Sequence, residues 1–318
     1  MGTTWDCIVV GGGAAGLSAA LVLGRARRRT LLVDAGEQSN LSAGGIGGLL
    51  GHDGRPPAEL YAMGRDELGA YPTVELREDV VEGGERVDGG FALDLGGGGR
   101  ELTRRVILAT GMEYQPPDLP GLAPLWGRSV FHCPFCHGWE MRDTALAVLG
   151  GGHGGLHRAL LLRRWSDDVM LLSDGPAGLE PDGRERLSAA GVEVDERPVA
   201  RLVARDGALA VVEFADGSRL ARDGLLVPVT VRQRSTLAAE LGAEPAEPGP
   251  IVVDALVVDT MFRTTAPGVS AAGDVSAQLQ QVAGAISAGS LAAVGVVQGL
   301  MAEDHGLEAP PVPSRTAA

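Results

Sequence analysis

The chain is short of cysteine, of positive charge and of uninterrupted apolar sequence. It has three cysteines in 318 residues, too few for a framework of structural disulfides. Lys and Arg total 27 against 41 Asp and Glu, a formal charge of −14. That surplus of carboxylates repels phosphates, which argues against a nucleic-acid partner and against an anionic membrane surface. No apolar run of ~18–20 residues is free of breaking residues, so no membrane span is expected. Met1 leads directly into a strand-like segment and a glycine loop, with no leader pattern. The expected location is cytoplasmic, where a disulfide is more often catalytic than structural.

Glycine is plentiful, at 48 residues against a usual share of ~7%, and it is scattered in loops. The length suits two domains. Trp5–Val10, a helix over about 14–25 and Thr30–Asp34 form one βαβ unit, and a second begins near Thr144 with a strand at Ala145–Leu149, a helix over about 156–165 and a strand at Val169–Leu172. Ile251–Val258 and Gly268–Ala272 read as returning strands, and a long Ala/Gly/Val helix covers about 281–301. The fold class is α/β, with two Rossmann-like three-layer nucleotide-binding domains. The second is inserted into a discontinuous first: 1–114 and 246–303 make one domain, 115–245 the other, and 304–318 a loose tail.

The first fingerprint is Gly11-Gly-Gly13-Ala14-Ala15-Gly16. Gly11 permits the tight turn, Gly13 lets the backbone approach a pyrophosphate, and Gly16 lets the helix pack closely on the strand. The anion would sit at the helix N-terminus. Asp34 ends the next strand, where a carboxylate suits ribose hydroxyls. Ala109-Thr110-Gly111 and Gly273-Asp274 each follow a strand, so FAD, an extended cofactor, is expected. Asp274 would accept from a ribityl hydroxyl. Gln281 and Val282 open the last helix, whose positive end would stabilise a reduced flavin.

Cys133-Pro-Phe-Cys136-His137 lies between this loop and a second one, Gly150-Gly-Gly152-His-Gly-Gly155. A Cys-x-x-Cys pair can close a disulfide and exchange it with another dithiol. Three other readings exist: c-type haem attachment, which requires export; a zinc site with His132 and His137, whose adjacent residues are awkward chelators; and inert buried cysteines. No metal is expected. Cys7, in the apolar run Cys-Ile-Val-Val, is expected to be buried and inert.

The order of these motifs, over about residues 5–300, resembles the thioredoxin-reductase-like flavoproteins. The run Cys133-Pro-Phe-Cys136-His137-Gly-Trp-Glu140 is closer to a subgroup of dithiol oxidases that close disulfides in natural products such as holomycin and gliotoxin. The resemblance implies FAD, a homodimer, and the cysteine pair on the inserted domain. It adds Ala35 and Val80 to the cofactor residues. It implies catalysis by Cys133 as the sulfur that meets a small dithiol and Cys136 as the sulfur that reduces the flavin. His137 would be the acid/base, and O2 the acceptor, giving H2O2. The reductases usually carry an acid where His137 stands. They also need cations after the second βαβ strand for a 2′-phosphate, where this chain has Asp174, so NADH use or a vestigial site is expected. The substrate pocket is expected near residues 38–55, the cysteine turn, Trp139 and Met141. An NAD(P)H-dependent disulfide reductase, a non-enzymatic thiol sensor and a cysteine-independent NAD(P)H oxidase remain as alternatives.

Overall fold

The computed structural model describes residues 4–277 and 279–308. The first stretch contains β1 (Trp5–Val10), α1 (Ala14–Arg25), β2 (Thr30–Asp34), α2 (Pro57–Leu68), β3 (Val74–Glu78), β4 (Val81–Val87), β5 (Gly90–Leu95), β6 (Arg100–Leu108) and β7 (Met112–Gln115). Then come β8 (Val130–Phe131), α3 (Pro134–His137), β9 (Leu146–Leu149), α4 (Gly152–Leu162), β10 (Val169–Leu172), α5 (Pro181–Ala189), β11 (Glu193–Asp195), β12 (Val199–Arg205), β13 (Ala208–Phe214), β14 (Arg219–Ala221) and β15 (Gly224–Leu226). The chain ends with β16 (Thr230–Gln233), α6 (Leu237–Glu240), β17 (Val269–Ala271) and α7 (Val282–Asp304).

Two units result. Unit 1 takes residues 1–41, 57–114 and 230–318; unit 2 takes 42–56 and 115–229. The return to unit 1 falls at Thr230, before the position 246 expected from the Pro- and Glu-rich stretch. The reason is that β16 already pairs with β7 and Val231 bridges Val252. The expected tail lies outside the described residues from 309 onward.

In unit 1, β3, β2, β1, β6 and β17 run parallel, and the β4–β5 hairpin joins antiparallel along the N-terminal half of β6. The run Cys7-Ile8-Val9-Val10 is apolar at every position because both sheet faces are covered. Cys7 is fully buried, and burial pushes its thiol pKa up, so it is inert as expected. On one face α1 packs against α7: Leu23, Ala292, Ala293 and Leu300 have no exposure. The helices approach so closely that a Cβ on Gly289 would lie 2.0 Å from the Ala15 carbonyl oxygen.

Helix α7 corrects the expectation about apolar runs. It is continuous over 23 residues, and by length and composition alone it could cross a membrane. Its glycines look like breaks in the sequence, yet a glycine inside a helix costs only about 1 kcal/mol. Packing against α1 supplies more than that. Ile251–Val258 corrects another expectation. It forms isolated bridges rather than a strand, because the prolines at 245, 248 and 250 lack ladder donors. The Asp254 carboxylate also takes the Gln233 amide at 2.9 Å.

Unit 2 has a parallel sheet in the order β11-β10-β9-β15-β8. One face is covered by α4 and α5 through Leu162 and Leu187, the other by the antiparallel β12-β13-β14 layer through Leu202, Val212 and Phe214. Both units therefore have the Rossmann-like arrangement that the two βαβ patterns predict.

Candidate functional site

In unit 1, segments distant in sequence converge on the N-terminus of α1. Gly11 has φ +108°, and a Cβ there would fall 2.2 Å from the Ala109 carbonyl oxygen, so Ala109-Thr110-Gly111 abuts the loop. A Cβ on Gly16 would fall 1.7 Å from the Gly11 carbonyl oxygen. One on Gly273 would fall 2.9 Å from the Ala15 Cβ and 3.8 Å from that of Ala285. This brings Gly273-Asp274 and the first turn of α7, with Gln281 and Val282, beside α1. Gly13 differs: the nearest atom to a Cβ there is the Gln38 Cγ at 3.6 Å. Helix α1 has no side-chain cap and no acid in its first turn. The amides of Ala14, Ala15 and Gly16 have no backbone partner among the described residues. Open space before Gly13, bordered by free N–H groups, suits a pyrophosphate.

Asp34 is more occupied than the sequence suggests. Its Oδ1 accepts from the amides of Gly12 and Gly36, each at 3.1 Å, and from Gln38 Nε2 at 3.0 Å; its Oδ2 pairs with Arg65 at 2.5 Å. A carboxylate offers about four lone-pair sites, so a ribose hydroxyl reaching Asp34 would displace Gln38 or Arg65. Ala35 is exposed just beyond it, and the Asp34 carbonyl accepts the Asp79 amide, which places the exposed Val80 nearby. Asp274 is the opposite case. Its Oδ2 accepts from Tyr114 Oη at 2.9 Å, and its Oδ1 receives no hydrogen bond from the described residues. Burial raises its carboxyl pKa.

In unit 2, Cys133 caps the one-turn helix α3 and Pro134 opens it, a position that tolerates proline's missing N–H. The turn brings the two Cα atoms to 5.3 Å, and Cys133 and Cys136 form a disulfide. The loop 42–56 meets this turn: a Cβ on Gly47 would lie 2.8 Å from the Cys136 carbonyl oxygen. Phe135 and Trp139 are about two-thirds exposed, and the Arg142 guanidinium lies 4.0 Å from the Trp139 ring centroid.

Both histidines of the motif lie on aromatic rings contributed by the segment before it. His132 stacks on Trp126 and His137 on Phe131, each with ring centroids 5.6 Å apart. His137 Nε2 is 3.1 Å from the Gly127 carbonyl oxygen. A carbonyl only accepts, so Nε2 carries the proton and Nδ1 holds the lone pair. Nδ1 is buried and has no hydrogen-bond partner among the described residues. Burial lowers the His137 pKa, partly offset by the Gly127 and Cys133 carbonyls and the Glu140 charge. Burial also pushes the His132 pKa down to about 4. His137 is therefore neutral at pH 7.

The second glycine loop repeats the first with one change. Gly11 and Gly150 donate to Val33 and Leu172, so Ser173, not Asp174, stands where Asp34 stands in unit 1. Asp174 turns away to accept the Val199 amide at 2.7 Å. The Gly152 amide donates to the Ala177 carbonyl at 2.7 Å, and a Cβ on Gly151 would lie 2.4 Å from that oxygen. Arg158 folds back onto the loop, 3.4 Å from a Cβ on Gly150 and 3.3 Å from one on Gly154, and donates to the Leu149 carbonyl. His153 is exposed.

Two α/β units with paired glycine loops, one of them carrying a Cys-x-x-Cys disulfide beside a histidine, mark a disulfide-type redox enzyme. The chain belongs to the pyridine nucleotide-disulphide oxidoreductase family, whose model matches residues 5–289. It is 33% identical over 311 residues to thioredoxin reductase tcpT of Claviceps purpurea, covering 95% of this chain and 96% of that one. The solved structure of HlmI is 39% identical with a TM-score of 0.88, covering 95% and 94% of the two chains. An oxidoreductase from Agrobacterium tumefaciens is 36% identical at the same TM-score, covering 94% and 99%.

Members of this family typically bind FAD, and the residues of unit 1 fit it. The open face of Gly13, the free amides of Ala14–Gly16 and the unused Oδ1 of Asp274 suit an anion and a hydroxyl donor. Sequence pattern gives no signal for Tyr114, Arg65, Arg158 or Gly127: the first two act across 160 and 31 residues, and the other two through turns whose contacts follow no helix or strand spacing.

Proposed function

We propose that the protein is an FAD-dependent dithiol oxidase that closes an intramolecular disulfide in a small, holomycin-like sulfur compound, with O2 as acceptor. The observation that carries this reading is His137: a neutral imidazole, one residue from Cys136, whose Nδ1 lone pair has no partner among the described residues. A group held neutral accepts a proton from an entering thiol of pKa ~8.5 far better than it protonates a leaving thiolate. Because Nδ1 is out of contact with water, that proton comes from a group seated against the ring.

In this scheme one substrate thiol gives its proton to His137 and the thiolate attacks the Cys133 sulfur. The Cys133–Cys136 bond breaks and Cys136 leaves as a thiolate. The second substrate thiol, already in place, attacks its own bridged sulfur and passes its proton to Cys133, which leaves as a thiol as the product disulfide closes. Bound FAD supplies two-electron chemistry that returns the cysteine pair to the disulfide. Each product disulfide corresponds to two electrons and two protons transferred to O2, giving one H2O2. Gly11, Gly13, Ala14, Ala15, Gly16, Ala109, Thr110, Gly111, Gly273, Asp274, Gln281 and Val282 hold the cofactor, with Asp34, Ala35 and Val80 toward its adenosine end. The protein acts as a homodimer.

The covered second loop supports the oxidising direction, since its own Ala177 carbonyl takes an amide that a pyrophosphate would need. One observation favours a second reading. The Arg158 guanidinium on that loop has no acidic partner among the described residues, and a reductase drawing on NADH would use such a cation. Anaerobic addition of a reduced dithiolopyrrolone, followed by air, separates them. The oxidase bleaches the flavin with the dithiol, regains colour in air and releases one H2O2 per disulfide. A flavin reduced by NADH or NADPH and not by the dithiol sinks the proposal.

A further inference from the structure

Tyr114 has a well-defined place in unit 1. It lies on β7, which pairs with β16, and Arg234 just beyond β16 donates its Nε to the Met112 carbonyl at 3.0 Å. The strand is therefore tied from its far side, and the phenol reaches the Asp274 carboxylate at 2.9 Å. We propose that Tyr114 is a positioning residue for Asp274, holding Oδ2 so that Oδ1 is presented as the acceptor for a hydroxyl of bound FAD. The inference rests on the FAD reading above and adds a residue that reading does not contain.

Three observations converge on it. Asp274 follows Gly273, whose φ of +83° turns the chain at the end of β17, and the residue is half-buried. A half-buried carboxylate is helped by donors to stay ionised. Tyr114 is its one hydrogen-bond donor among the described residues; burial raises the Asp274 pKa, and the Tyr114 hydrogen bond and the Arg234 charge offset that rise in part. The Tyr114 phenol is itself pushed far up by burial and by the Asp274 charge. It therefore keeps its proton and serves as a donor only. With Oδ2 engaged, the carboxylate cannot rotate freely, and the remaining oxygen has a fixed direction.

The test is retention of FAD by the full-length holoprotein, read as the rise of flavin fluorescence on dilution. Tyr114→Phe deletes one oxygen and no ring contact, and far-UV circular dichroism checks that it is folded. FAD binding is expected to weaken about tenfold, the usual size of a lost hydrogen bond to a charged group. Asp274→Asn should weaken it comparably, and the double variant should be no worse than Asp274→Asn alone, because the two act as one device. Tyr114→Phe retaining FAD within about twofold of wild type overturns the proposal. So does Asp274→Asn binding like wild type, or a double variant whose loss is the product of the single losses. A wild-type protein that takes up no FAD would instead remove the cofactor reading itself.

Discussion

The Gly127 carbonyl stands 3.1 Å from His137 Nε2, and this contact decides which nitrogen of the imidazole keeps its lone pair. Gly127 has φ +77°, and its amide returns to Val130 at 2.9 Å, so the carbonyl is held by a turn that a β-carbon would disturb. Phe131, at the end of that same turn, lies under the ring. The tautomer and ring setting of His137 are thus fixed by Gly127 and Phe131, while the cysteine turn holds its backbone through the amide bond to the Cys133 carbonyl at 3.2 Å.

Replacing His137 by Gln should slow dithiol oxidation about 10²–10⁴-fold, the usual worth of a positioned acid/base. The loss should be greatest near pH 7 and shrink toward pH 9, where substrate thiols ionise unaided. Peroxide release from pH 6 to 9 measures it; a profile parallel to wild type removes the histidine from proton transfer.

Two glycines of the first loop should fail in different ways. A Cβ on Gly16 would sit 1.7 Å from the Gly11 carbonyl oxygen, so Gly16→Ala should cost at least ~3 kcal/mol of stability in overpacking and backbone shift. Gly13→Ala meets nothing closer than 3.6 Å and should fold normally yet lose most of its flavin. Urea midpoints and the flavin-to-protein absorbance ratio distinguish the two; a yellow Gly13→Ala protein contradicts the pyrophosphate assignment.

Pyridine nucleotides should reduce the flavin poorly. With the Gly152 amide on Ala177 and no cation in residues 173–178, anaerobic stopped-flow should show NADPH bleaching on the order of 100-fold slower than a small dithiol, a gap of about 2.7 kcal/mol in barrier. Equal rates would mean that the covering segment yields readily to the ligand.

Acid should destabilise unit 2 through His132. Its pKa falls to about 4 on burial, below the ~6.5 of an unfolded chain. Between those values the unfolded state binds the extra proton, so stability is complete above about pH 6.5 and declines as pH drops toward 4. The decline from this group is at most about 3 kcal/mol. Urea midpoints at pH 7.5 and 5 should differ less in His132→Phe than in wild type; an unchanged difference excludes this histidine as the cause.

Much of this molecule is legible in its sequence. Local sequence determines the two βαβ patterns, since glycine loops, continuous apolar strands and Ala/Leu helices act through neighbours a few residues apart. It marks Gly11, Gly13 and Gly16 by spacing alone, and pairs Cys133 with Cys136 within reach of one helical turn. Local pattern misleads at α7 and at Ile251–Val258, where packing on α1 or ladder donors removed by proline outweigh it. Nor can it weigh Asp34 against Asp274: two carboxylates at strand ends, one saturated by Gln38 and Arg65, the other left with a free oxygen by Tyr114. Only the tertiary structure shows that Ala177 covers the second loop and that Gly127 chooses the nitrogen of His137. Those outcomes depend on which distant donors and acceptors the closed fold brings within about 3 Å, and hydrogen bonds across such separations have no periodicity for a sequence to display.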